Sequence, residues 1–136
     1  MPMLVKKIMI IEDNKDIQEI YKHSFEKAGY QVIIEDNGLD GIHNVAEKMP
    51  DVILLDLMMP KMDGFEFLKK LKATPALDIP VIVCSNISDT ETNSKAIEAG
   101  AVGVILKVDY SGKQLVDKVE YLLSEARGDK WFTKMH

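Results

Sequence analysis

The feature that most constrains this chain is a change of hydrophobic period that recurs along its whole length. Short apolar runs at Lys7–Ile11, Gln31–Ile34, Val52–Leu55, Val81–Cys84 and Val102–Leu106 alternate with stretches of helical period. The runs are rich in Ile, Val and Leu, and three of them are apolar almost throughout. Continuous apolarity over so few residues marks a strand buried on both faces, whereas alternation would mark one face in water. Between the runs the spacing becomes 3.6. Ile17, Ile20, Tyr21, Ser24, Phe25 and Ala28 form a stripe that stops at Gly29. Ile42, Val45, Ala46 and Met49 form a second, ended by Pro50, and Phe65, Leu68 and Leu71 a third, ended before Pro75. A fourth helix is predicted to open with the capping box Ser88–Glu91 and to close at Gly100. A fifth opens with Ser111–Gln114 and carries Leu115, Val119, Leu122, Leu123 and Ala126.

A (βα)5 alternation implies an α/β fold: a doubly wound parallel sheet with helices on both faces and right-handed crossovers. The 136 residues suit one domain, expected over 1–126, with 127–136 as a C-terminal tail of no clear period. A single core at this length needs no staples. None is available from cysteine, because Cys84 stands alone. Acids outnumber bases 22 to 17, which argues against direct nucleic-acid binding. No apolar run reaches the ~18–20 residues that cross a bilayer. The apolar N-terminal stretch meets Glu12 and Asp13 too soon for a signal peptide, so the cytoplasm is expected.

In an open parallel sheet, ligands bind beyond the carboxyl ends of the strands. Those ends carry Glu12-Asp13, Asp56, Ser85-Asn86 and Lys107. Acids after strands often only cap helices, and Asp13 or Asn14 would suit that role. Asp56 does not fit it, because it ends an apolar strand and leads into Leu-Met-Met-Pro. Carboxylates held close repel one another, and a hard divalent cation relieves the repulsion. Oxygen ligands select magnesium, manganese or calcium. With the Lys107 ammonium opposite and a hydroxyl at Ser85, the set suits a phosphoryl group. A carboxylate can itself accept that group as an aspartyl-phosphate. Asp56, between the strand of the acid pair and the strand of Ser85, is best placed to do so. Glu12 and Asp13 then hold the metal, with the backbone carbonyl of Met58 as a further ligand.

At this point the sequence resembles the receiver domain of bacterial two-component response regulators, in the stand-alone form of the chemotaxis regulators. The resemblance covers residues ~5–126. It is carried by Ile10-Ile11-Glu12-Asp13-Asn14, by Asp51–Gly64 (DVILLDLMMPKMDG), by Pro80–Ser85 (PVIVCS), by Ala99-Gly100-Ala101 and by Ile105-Leu106-Lys107. It implies a flavodoxin-like sheet of order 2-1-3-4-5. It implies Asp56 as phosphoacceptor, Glu12 and Asp13 as magnesium acids (manganese being the other acceptable ion), Ser85 as switch hydroxyl and Lys107 as partner of the phosphoryl group. Gly64 matches a family glycine at a tight turn. The donor would be a phosphohistidine on a sensor histidine kinase or phosphotransfer protein, and the output a change of protein partners. The chain would be a monomer or a phosphorylation-dependent dimer.

Two positions depart from the family pattern. Val108 follows Lys107 where proline is usual, which predicts a trans bond there, and Val104 stands where an aromatic is usual. They leave the phosphorylation chemistry intact and alter how the signal leaves the site. The resemblance also implies that Met58 and Ile87 flank the path of the hydrolytic water; both are apolar, so self-dephosphorylation should be slow. The chain is therefore expected to be no enzyme beyond this self-directed transfer and slow hydrolysis. A dinucleotide-binding domain would want Gly-x-Gly-x-x-Gly where Glu12-Asp13-Asn14-Lys15-Asp16 stands. A P-loop needs a Gly-Lys-Ser/Thr turn, also absent. A dehalogenase-type phosphatase needs a second Asp where Met58 lies. The remaining rival is a phosphorylation-independent scaffold on the same fold.

Overall fold

The computed structural model describes residues 6–57, 59, 61–85, 90–106 and 112–127. Parallel strands β1 (Lys7–Ile11), β2 (Gln31–Glu35), β3 (Val52–Asp56), β4 (Val81–Ser85) and β5 (Gly103–Leu106) form one sheet in the order β2-β1-β3-β4-β5. They alternate with α1 (Lys15–Lys27), α2 (Gly38–Lys48), α3 (Gly64–Lys72), α4 (Thr90–Glu98) and α5 (Gly112–Arg127). The inner strands β1, β3 and β4 are the near-continuous apolar runs, and β3 and β4 are buried at every position. The edge strands β2 and β5 are only partly buried.

Successive strand residues feed opposite cores, as the pleat requires. Ile8, Ile10, Val52, Leu54, Ile82 and Cys84 pack with Tyr21 and Phe25 of α1 and with Leu115, Val116, Val119 and Leu123 of α5. Met9, Ile11, Ile53, Leu55, Val81 and Val83 pack with Val45 of α2, Phe67, Leu68 and Leu71 of α3, and Ala96 of α4. Phe25 and Phe67 are among the largest fully buried side chains. Burying a side chain of that kind stabilises by about 1.5–3 kcal/mol. Among the described residues, helices thus cover both faces of the sheet, α1 and α5 on one and α2, α3 and α4 on the other.

The helical stripes need correction in detail. Ile20 is 55% exposed, Met49 is 51% exposed and lies outside α2 as its left-handed cap, and Ala28, Ala46 and Ala126 are also exposed. In their place Gln18, Gly41, Phe67 and Val116 turn inward. The predicted openings of the last two helices rest on Ser88 and Ser111, which lie outside the described residues, as does the tail beyond Arg127. Among the described residues no helix is long and apolar enough to cross a membrane.

Gly64 is not the tight-turn residue that the resemblance implies. Among the described glycines only Gly29 and Gly100 have positive φ. The turn before α3 is made instead by Lys61 and Met62, both left-handed at φ 51° and 70°. Gly64 is the first residue of α3, after the N-cap Asp63, and its N–H donates to the Leu57 carbonyl at 3.0 Å. It is glycine because the end of β3 leaves no room for a Cβ.

Candidate functional site

Glu12 follows the last residue of β1 and is 2% exposed. Its N–H donates to the Glu35 carbonyl at the end of β2 (3.1 Å), and its Oε2 accepts from the Asn14 N–H at 3.0 Å. Asn14 caps α1, its Oδ1 accepting from the Ile17 N–H at 3.0 Å. The capping role therefore falls to Asn14 and not to the exposed Asp13. Asp56 ends the central strand, is 7% exposed and lies level with Cys84 of β4. One ligand oxygen from each of Glu12, Asp13 and Asp56 lies within 4.8 Å of the others. No other three His, Cys, Asp or Glu side chains converge in this way among the described residues. An all-oxygen, multiply anionic donor set of this kind fits a hard divalent cation.

Tyr21 of α1 is buried in the core with Cys84, its phenol 3.5 Å from the Cys84 sulfur. Burial pushes the Tyr21 phenol well above its ordinary pKa, and the Cys84 contact and the Glu12 and Asp56 charges push the same way. The phenol stays neutral, and the Cys84 thiol beside it is buried. Ser85 is fully buried at the end of β4, one residue past the level of Asp56. Val104 of β5 is half-buried against the α2–α4 core. Lys107, Val108, Met58, Asn86 and Ile87 lie outside the described residues. His23 and His43 are exposed on α1 and α2.

A second polar group beside the acid pair escaped the sequence reading. Gln18 of α1 is 6% exposed, and its Nε2 donates both to the Glu12 carbonyl and to Asp36 Oδ1 (2.8 Å). The same Asp36 oxygen lies 2.6 Å from the Lys15 ammonium. The Lys15 and Gln18 donors hold the Asp36 carboxyl below its ordinary pKa. Glu35 is buried at the end of β2, with both carboxylate oxygens 3.0 Å from Asn44 Nδ2. Only i, i+3 and i, i+4 patterns are visible along a helix, so a glutamine reaching two loops carries no linear signal.

Burial outweighs the Asn44 donation and raises the Glu35 pKa. A carboxyl raised in the folded state contributes stability below its unfolded pKa of about 4.3, which is lost as pH rises through the folded value. Glu35→Gln removes that loss. The variant should gain stability relative to wild type between about pH 4 and pH 7. Urea unfolding at the two pH values checks this, and a difference that is flat or of opposite sign would refute it.

Comparison with known proteins gives one family. The model of the response regulator receiver domain matches residues 8–120. A protein-glutamate methylesterase/protein-glutamine glutaminase 2 of Rhodospirillum rubrum is 38% identical over 111 residues, covering 79% of this chain and 30% of its own length. The receiver domain of a signal transduction histidine kinase from Syntrophus aciditrophicus superposes with a TM-score of 0.79 at 34% identity, covering 91% of this chain and 94% of that one. The chemotaxis response regulator CheY4 of Vibrio cholerae shares the fold with a TM-score of 0.81 at 23% identity, covering 88% and 99%. The chain spans between 26% and 53% of the length of the curated relatives it matches.

Proposed function

The chain belongs to the response regulator receiver domain family, and on that premise we propose that Asp56 is its phosphoacceptor, in a domain spanning 1–126 with 127–136 as tail. The observation that carries this reading is the convergence of the Glu12, Asp13 and Asp56 oxygens within 4.8 Å at the end of the central strand. An Asp56 carboxylate oxygen attacks the phosphorus of a phosphohistidine, forming an acyl phosphate. The N–P bond breaks and the imidazole leaves with its electron pair. Glu12, Asp13, Asp56 and the Met58 carbonyl would hold magnesium or manganese, which supplies neutralising charge to the phosphoryl oxygens. Ser85 would donate its hydroxyl to one phosphoryl oxygen, and Lys107 would pair with another.

The donor is a sensor histidine kinase or phosphotransfer protein in the cytoplasm. The output is a change of protein partner, as a monomer or as a phosphorylation-dependent dimer, with no nucleic acid or membrane bound directly. The chain acts on no other substrate, and with Met58 and Ile87 apolar it loses its own phosphoryl group slowly. Incubation with a small phosphodonor and magnesium, followed by intact mass, tests the reading. Wild type should gain one phosphoryl group and keep it well beyond seconds after donor removal. A scaffold that works without phosphorylation would gain none.

Magnesium should also stabilise the folded chain alone, since the unfolded chain has no assembled site. At ten times its dissociation constant the gain is about 1.4 kcal/mol. Asp13→Asn should lose most of it. A melting temperature that ignores millimolar magnesium would count against the acid cluster as a cation site.

A further inference from the structure

We propose that Gln18 is a positioning residue that locks the peptide unit between Glu12 and Asp13 and so sets the affinity of the acid cluster for a divalent cation. This rests on the reading of Glu12, Asp13 and Asp56 as a cation site. Gln18 lies at the start of α1, whose other buried residues are Tyr21 and Phe25. An amide is costly to bury unless its donors are used, and here one nitrogen serves two acceptors on two different loops.

The two acceptors close a ring. The Glu12 N–H donates to the Glu35 carbonyl, and the Glu12 carbonyl accepts from Gln18. The other N–H of Gln18 goes to Asp36, the residue after Glu35. Lys15 clamps the same Asp36 oxygen from the solvent side. Both polar backbone groups of Glu12 are therefore fixed from the end of β2, one directly and one through Gln18.

The carbonyl that Gln18 holds belongs to the peptide that joins the two acids. Rotation of that peptide would swing Asp13 relative to Glu12. Repulsion among three carboxylates within 4.8 Å favours such relaxation when no cation is bound. Holding the peptide keeps the oxygens assembled, so less ordering remains to be done when a cation arrives. Groups that orient metal ligands from behind commonly change affinity by about 10–100-fold when removed.

A merely structural role for Gln18 would alter stability and leave the affinity of the folded molecule unchanged. Isothermal titration of the full chain with magnesium separates the two, using wild type, Gln18→Leu, Gln18→Asn and the core control Val119→Ala. Val119 is fully buried in the α1–α5 core. Gln18→Leu keeps the bulk and removes both donations, and its dissociation constant should rise about tenfold. Gln18→Asn is too short to serve both acceptors and should rise by less, though by more than about twofold. Val119→Ala should melt lower yet bind magnesium within about twofold of wild type. Gln18 variants that match wild type, or a control that weakens as much as they do, overturn the inference. If Gln18→Leu does not fold, Gln18→Asn decides. A wild type that binds no magnesium overturns the cation site itself, which is a different failure from tight wild-type binding with unchanged variants.

Discussion

Asp56→Asn will take up no phosphoryl group under conditions in which wild type takes up one, and it will melt higher than wild type in metal-free buffer. The amide is nearly isosteric with the carboxylate but is no nucleophile, so the acyl phosphate is not formed. The position is 7% exposed at the end of a fully buried strand, so the backbone that carries it should not move. The stability gain has an electrostatic origin. Unit charges 4.8 Å apart repel by about 0.9–3.5 kcal/mol between the bulk-water and near-surface dielectric limits. Removing Asp56 relieves two of the three pairs in the cluster. Added magnesium should narrow the gap, because it relieves the same repulsion in wild type. Intact mass after incubation with a small phosphodonor reads the first effect, and thermal melts with and without magnesium read the second. Uptake by the variant equal to that of wild type would remove Asp56 from its assigned role, whatever the melts show.

The fold was legible because the inner strands carry the strongest linear signal a sheet can have. β3 and β4 are buried on both faces, so every residue before their last is apolar and no alternation obscures them. The site was legible for a related reason. A charged residue that ends such a strand, as Asp56 does, has no packing explanation. What the sequence concealed lies where contacts are non-local. Ile20 fits the apolar stripe of α1, yet it is 55% exposed, while the polar Gln18 is turned inward. Periodicity reads the side chain's chemistry and not what stands opposite it, and the partners of Gln18 are a backbone carbonyl and Asp36. Phe67 was missed because Phe65 and Leu68 already completed a stripe in α3. The structure puts Phe67 in the core and leaves Phe65 half-buried. The positive φ of Lys61 and Met62 has no signature in residues that rarely adopt it, so the sequence does not show that the turn lies there and not at the glycine that the resemblance implies.

That glycine supports the other large expected effect. Gly64→Ala should destabilise the chain by about 1–3 kcal/mol, toward the upper end, and slow phosphoryl uptake at the same time. A Cβ on Gly64 would stand 2.8 Å from the Leu57 Cα and 3.0 Å from the Asp56 carbonyl oxygen. Two of its close neighbours are therefore backbone atoms, which cannot rotate away. Either α3 lifts from the end of β3, opening a gap beside Phe67 and Leu68, or the Asp56–Leu57 peptide is displaced. The first route costs packing in the α2–α4 core. The second moves the proposed nucleophile relative to Glu12 and Asp13, and small misplacements of reacting groups cost rate steeply. Gly41 provides the comparison. A Cβ there would meet the Ile11 Cδ1 at 2.7 Å and the Phe67 ring at 3.2 Å, a shorter nearest contact than at Gly64, yet with side-chain atoms. The tip of Ile11 can change rotamer, so Gly41→Ala should cost less than Gly64→Ala despite the closer approach. Urea unfolding of the two variants orders the stabilities. The initial rate of phosphoryl gain by intact mass, taken where each variant is fully folded, reads the displacement of Asp56. If Gly41→Ala proves the more damaging, or if folded Gly64→Ala is phosphorylated at the wild-type rate, the seam between α3 and β3 does not position the acceptor.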